Sequence, residues 1–318
     1  MRMHLPNSAF LGNIDPFLRT FDRSNPDVLE VSANKRWISV HPVVISMIAA
    51  LSLGIRRSSC EKLEAKSKHY FERMGLFKFL KVDSGMGITE HEPAGRFIPL
   101  TQIKTSDELT KFIKDMIPLL HLSPNHVEPI GYIVSELVRN VLEHSSSKQG
   151  AILCAQFYKK SNTIRLGIVD CGVGIKKTIN VSHRAKTDLE AIRLALIPGI
   201  TGTTKKEGGT ELNAGAGLFF IKSIAEVNRD FFVVYSGNAV YKLLKRDLAR
   251  TIKLHADPFK DRHSKGEDYP YWQGTTIGID MSLDTKEEFT SLLDLIRDTY
   301  SQAIKERKKQ RYKRARFI

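Results

Sequence analysis

The chain has 318 residues, 42% hydrophobic and 26% charged, with a formal net charge of +14. That size leaves room for two domains and a sizeable core, and the composition is that of a globular protein rather than a disordered or fibrous one. The three cysteines, Cys60, Cys154 and Cys171, show no metal-ligand spacing, which argues against a disulfide framework and fits a reducing, cytoplasmic setting.

No apolar run follows the first seven residues, so no secretory signal is expected. Residues 1–96 read as a small α/β unit. Residues 28–31 and 37–40 are short strand candidates. Pro42 suits the first turn of a helix over 43–55, where its missing N–H is no loss. The apolar stretch 42–55 is 14 residues long and includes Ser46, Ser52 and Gly54. A membrane span needs about 20 residues, so none is expected. A second helical region, 66–80, is interrupted at Gly75. Residues 85–95, with three glycines and one proline, read as a linker or exposed loop. Residues 96–100 are expected to form an edge strand, and Ser106 to cap a helix over 107–120.

Residues 130–144 carry Ile133, Val134, Leu137, Val138, Val141 and Leu142 at helical spacing. Glu136, Asn140 and His144 follow at i, i+4 and i+8, on one face beside that stripe. An Asn oxygen is a hard neutral ligand for a magnesium ion that keeps some of its waters. A Glu one turn away can accept a proton from an attacking water or hydroxyl. Strands over 151–158 and 163–169 form a hairpin around Lys159-Lys160-Ser161-Asn162. The second strand ends in Asp170-Cys-Gly172-Val-Gly174-Ile175. A carboxylate at a pocket floor accepts a hydrogen bond from an exocyclic amine such as that of adenine. Gly172 and Gly174 allow close backbone approach to a ligand. Cys171 reads as a small filler of the same pocket.

A helix over 188–196 precedes a stretch rich in Gly, Thr and Lys, 199–209. Gly215-Ala-Gly217-Leu218 opens a helix over 218–227, whose first N–H groups suit phosphate oxygens. A second hairpin covers 231–235 and 239–243, a last strand 274–281, and a helix 287–304. Residues 305–318 then hold eight Lys or Arg against one Glu, half of the net charge. Such a run binds phosphate backbones with strong salt dependence, although no base-reading fold accompanies it.

The three motifs, in this order, resemble those of the GHKL superfamily, the ATP-binding fold of gyrase and the sensor histidine kinases. The resemblance covers roughly 106–282. Glu136, Asn140 and His144 match its N box. Asp170, Gly172 and Gly174, with Ile175, match the G1 box, and Gly215 and Gly217, with Leu218, match the G2 box. The resemblance implies a two-layer α/β sandwich (the Bergerat fold) over 97–284, with a mixed sheet and helices on one face. Residues 285–318 would add a C-terminal helix and the basic tail. It implies ATP and Mg2+ as cofactors, Asn140 as the magnesium ligand, Asp170 as the reader of the adenine amine and Glu136 as the general base. A Thr at the start of the last strand lies near that Asp in such proteins; Thr275 is the first candidate and Thr276 the second. The loop 199–213 takes the place of the ATP lid.

The Glu-x-x-x-Asn-x-x-x-His form is most similar to the serine-kinase anti-sigma factors and the ATPase branch. Two chemistries follow. One is slow ATP hydrolysis coupled to lid closure or partner regulation. The other is transfer of the γ-phosphoryl to a serine or threonine of a partner protein. A third reading is a nucleotide-binding module without turnover. A protein partner, a homodimer and nucleic acid bound through 305–318 are the partners these readings imply. Residues 1–96 weakly resemble the STAS fold of anti-sigma-factor antagonists, with His41 where that family places a phosphoacceptor serine.

Overall fold

The computed structural model describes residues 1–34, 38–55, 57–60, 65–85, 97–115, 117, 122, 124–202, 204, 217–246, 253–283 and 289–314. Short strands and helices alternate at the start: β1 (Arg2–Leu5), β2 (Ser8–Ala9), α1 (Asp15–Arg19), β3 (Val28–Ala33), β4 (Ser39–Val40), α2 (Pro42–Ser52) and β5 (Arg57–Cys60). Two helices follow, α3 (Ala65–Arg73) and α4 (Leu76–Leu80), separated by Gly75 at φ +78°. β1, β3 and β5 form a parallel sheet, and β2 pairs with β4 in parallel.

The larger part begins with β6 (Phe97–Ile103), α5 (Ser106–Asp115) and α6 (Pro124–His144). β7 (Ala151–Tyr158) and β8 (Thr163–Asp170) form the first hairpin. Next come α7 (Ile175–Ile179), α8 (Asp188–Ala195), α9 (Gly217–Val227), β9 (Phe232–Gly237), β10 (Ala239–Leu243), β11 (His263–Gly266), β12 (Trp272–Ser282) and α10 (Phe289–Arg314). Seven strands make one sheet in the order β11-β10-β9-β12-β8-β7-β6, with β6 at an edge.

Every pairing in this sheet is antiparallel, not mixed as expected. The hairpins were readable locally. The direction of β12 was not, because it inserts between β9 and β8 far from both in sequence, antiparallel to each.

The expected single covered face is also corrected. One face packs on α5 to α10 through residues such as Leu166, Ile168, Phe232, Val234 and Ile279. The alternate residues Val169, Val233 and Tyr235 join a second core with Met3, Phe17, Val44 and Met47 from the first 80 residues. Burial on both faces explains why β9 is buried along its whole length. The first 80 residues therefore share a core with the sheet.

α2 is the main contact from that segment. Cys154, Gly167 and Gly278 sit side by side across β7, β8 and β12. This row of small residues lets the α2 backbone lie directly on the sheet. A first side-chain carbon at Gly167 would fall 2.3 Å from Val43 Cα. Ser46 Oγ lies 3.3 Å from Cys154 Sγ. His41 caps α2: its Nδ1 accepts the Val43 N–H at 3.1 Å, which leaves the proton on Nε2 to face Asp280 Oδ1 at 3.1 Å. Burial lowers the pKa of this ring, which is fully enclosed, so it stays neutral. His41 is a packing and capping residue here, with no access for phosphoryl transfer.

At the other end, the helix α10 extends to Arg314, well past the predicted 304. Lys, Arg, Gln and Glu are good helix formers, and no Gly or Pro interrupts 289–314. No helix among the described residues is long and apolar enough to cross a membrane.

The seating of α2 gives a direct test. Gly167→Ala is expected to lower the unfolding free energy by about 2 kcal/mol or more, since backbone rather than a flexible side chain must give way. Urea unfolding measures this; a loss below about 0.5 kcal/mol would show that α2 does not lie on this strand.

Candidate functional site

α6 presents two faces because its apolar residues recur at helical spacing. Ile130, Ile133, Val134, Leu137 and Val138 are buried against the sheet. The edge beside them carries Glu136, Asn140 and His144 into a cavity of about 370 Å³. β8 and β12 bring the floor. Their antiparallel register sets Thr275 directly opposite Asp170. Asp170, Gly174, Ile175, Thr275, Gly217 and Leu218 line the same cavity. Residues from three separate motifs thus meet in one place.

Gly172 does not line the cavity. Its N–H donates to Asp170 Oδ1 at 2.7 Å, and a side-chain carbon there would lie 2.1 Å from the Ser145 carbonyl oxygen. The turn is stitched to α6 as the Val173 N–H donates to that carbonyl at 2.7 Å. Gly172 therefore shapes the turn rather than touching the contents of the cavity. Cys171 is also corrected: it faces away, into a second cleft, as strand alternation at the end of β8 requires. Thr276 points to the opposite side of the sheet, wholly buried, and Thr275 alone faces the cavity. Gly215, and of the stretch 199–213 Thr203 and 205–213, lie outside the described residues. Ile200, Thr201 and Gly202 line the cavity from the start of that stretch.

Gly217 opens α9 close against α6. A side-chain carbon there would fall 2.7 Å from Glu136 Oε2 and 3.6 Å from Asn140 Nδ2. The first N–H groups of any helix lack intrahelical partners. Such donors begin here, beside the carboxylate and the amide.

The electrostatics are uneven. Among the described residues, Glu136, Glu143 and Asp170 line the cavity against the one guanidinium of Arg139. His144 Nε2 lies 3.8 Å from Glu143 Oε2. Burial raises the Glu136 pKa; Arg139 opposes this and Glu143 adds to it. Asp170, 2% exposed, is pushed up to about 6 by burial, against the Gly172 N–H and the backbone and side chain of Thr275. Among the described residues no group of three or more His, Cys, Asp or Glu is placed to hold a metal ion.

Two residues that build the site were missed in the sequence, Tyr132 in its wall and Ser236 behind it. Tyr132 lies one turn before Glu136, so the spacing 132, 136, 140, 144 would have found it. Burial pushes its hydroxyl up to about 12. Ser236 carried no signal: its Oγ accepts the Ile175 N–H at 3.0 Å and donates to the Gly274 carbonyl at 2.6 Å, tying the Gly174 turn to β9 and β12.

Compared with known protein families and with curated proteins, the sequence matches none.

Asp170 makes folding pH-dependent with a definite sign. Its folded pKa is raised to about 6, so its stabilising contribution is full below the unfolded value and is lost as pH rises through about 6. Between pH 5 and 8 this removes about 1 kcal/mol. Asp170→Asn is expected to flatten the pH dependence of urea unfolding by that amount. An unchanged slope would mean the carboxylate is not desolvated.

Proposed function

We propose that this cavity binds ATP with magnesium and that the chain is an ATPase of the GHKL class, hydrolysing ATP slowly under control of the 199–213 loop. The observation that carries the reading is the buried carboxylate of Asp170, placed opposite Thr275 at the floor of the cavity whose wall holds Glu136 and Asn140.

The residues suit such a ligand. Ile168, Ile175, Ile179 and Ile277 give the inner cavity apolar walls, as a purine ring needs. Asp170, ionised above about pH 6, accepts a hydrogen bond from the exocyclic amine. Among the described residues a polyphosphate would meet three carboxylates and one guanidinium, a balance that favours a cation arriving with it. Asn140 would supply a neutral oxygen to an ion that arrives with phosphate and water ligands. Magnesium would neutralise charge on the phosphates as the terminal bond breaks.

The chain's own contribution is position and a base. Glu136, on the α6 edge beside Gly217, takes the proton from water as its oxygen attacks the terminal phosphorus and ADP departs. A base of raised pKa is better matched to neutral pH than an ordinary glutamate. The start of α9 offers backbone donors to the phosphates. Thr201 and Gly202 connect the loop to the cavity, so closure would exclude bulk water.

Phosphate release by wild type and Glu136→Ala tests the base. The variant is expected to keep ATP affinity within a few-fold and to lose about 100-fold or more in turnover. Wild-type turnover should fall on acidification with a midpoint above the ordinary glutamate range of about 4.3. Equal turnover in the variant would remove Glu136 from this role, and ATP binding without any wild-type turnover would contradict hydrolysis.

A further inference from the structure

The turn that carries Asp170 has a cavity on each side. Asp170 and Gly174 line the first; Cys171, Gly172 and Val173 line a second cleft of about 620 Å³. The loop after α6 is divided in the same way, with Ser145 on the first and Ser146 and Lys148 on the second. In α7, Thr178 faces the first and Lys177 the second. The remaining walls come from Met1, the segment after α1, the end of α2, Tyr271, and Gln273 of β12. This volume and this place, at the junction of the first 80 residues with the sheet, are typical of small-molecule sites.

The chemistry of the lining is one-sided. Among the described residues, its charged side chains are Arg23, Lys148 and Lys177, and none that lines it is a carboxylate. Neither lysine is held in an ion pair among the described residues. Arg23 is positioned: its guanidinium lies 5.2 Å from the centre of the Tyr271 ring, and Nη1 donates to the Tyr271 carbonyl at 3.5 Å. Asp22, the neighbouring acid, is turned to the Ser24 N–H and hydroxyl and does not line the cleft. Phe21, Leu51 and Ile55 add an apolar surface. Uncompensated cations around an apolar floor select an anionic head on an apolar body and reject cations.

We propose that this second cleft binds a small organic anion, a phosphate or carboxylate on an apolar body, and that its occupant acts on the Asp170 turn from behind. The physical link is short. Gly172, in the cleft wall, donates to the Asp170 carboxylate at 2.7 Å, and Val173 donates to Ser145 at the end of α6 at 2.7 Å. An anion pressed against this wall moves or polarises groups that hold Asp170, and coupling of this kind is reciprocal.

The probes are phenyl phosphate, benzoate and neutral benzyl alcohol, titrated calorimetrically into the full chain without nucleotide. The two anions are expected to bind and the alcohol not to bind. A tighter phenyl phosphate would identify a phosphate ligand, and a tighter benzoate a carboxylate. The triple variant Arg23→Gln, Lys148→Gln, Lys177→Gln changes only exposed side chains, so it should fold, and it should weaken the anions about tenfold or more. Asp170→Asn, which carries no charge at that position, should still bind the anions and, by the same linkage, bind them about twofold tighter at neutral pH. Saturation with the tighter anion should shift the Asp170 carboxyl titration, followed by NMR, upward by about 0.3 units or more. Absent binding, unchanged affinity in the triple variant, or loss of binding in Asp170→Asn would overturn the site. An unmoved Asp170 midpoint would overturn the coupling. None of these readouts requires ATP, so failure here is distinguishable from failure of the nucleotide reading.

Discussion

The burial of one carboxylate, Asp170, organises this molecule. A carboxylate removed from water is costly unless hydrogen bonds replace the lost solvation. Here the Gly172 N–H and Thr275 supply part of that replacement, and the pKa of about 6 shows that it is incomplete. The unmet remainder leaves the carboxylate able to accept one more hydrogen bond, which is the role proposed for it toward a ligand. Much of the neighbouring architecture serves to hold this turn. The Ser145 carbonyl fixes it to α6, Ser236 ties its far end to β9, and the Trp272 indole N–H donates to the Asp170 carbonyl at 3.3 Å.

The rigid frame behind the site comes from burial on both faces of the sheet. α2 lies on a row of small residues, while the helices of the other face carry the cavity walls. The helix that begins at Gly217 is anchored deep in the protein. Lys222, fully buried, pairs with Asp261 at 2.6 Å and donates to the His255 carbonyl at 3.1 Å. Breaking a buried pair on one side is strongly destabilising, so this contact fixes where α9 can sit. Tyr300 of α10 packs against Phe219 and Phe220 from outside, and Arg307 bonds to the carbonyl of Pro198, just before the loop that reaches the cavity. The C-terminal helix is thus joined both to α9 and to the segment that leads to the cavity.

Much of this was legible in the sequence, and the reasons are local. The i, i+4, i+8 spacing of Glu136, Asn140 and His144 needs only helical geometry to share an edge, and all three reach the cavity. A resemblance put Thr275 near Asp170, and the strand register sets the two directly opposite each other. Gly75 marked the break between α3 and α4 because the chain needs a positive φ at that point. What escaped was non-local. The antiparallel entry of β12, the second covered face and the burial of His41 against Asp280 each depend on segments distant in sequence. Cys171 was assigned to the wrong side because a composition-based reading ignores the alternation that sends it away from Asp170. The basic run carried its own helix-forming residues, yet its charge drew attention away from its propensity.

The most direct test of the account is ATP affinity of the purified chain with and without magnesium, beside Asp170→Asn. The account predicts binding that requires magnesium and that weakens about tenfold or more in the variant. A folded wild-type protein that binds no ATP under either condition would contradict it.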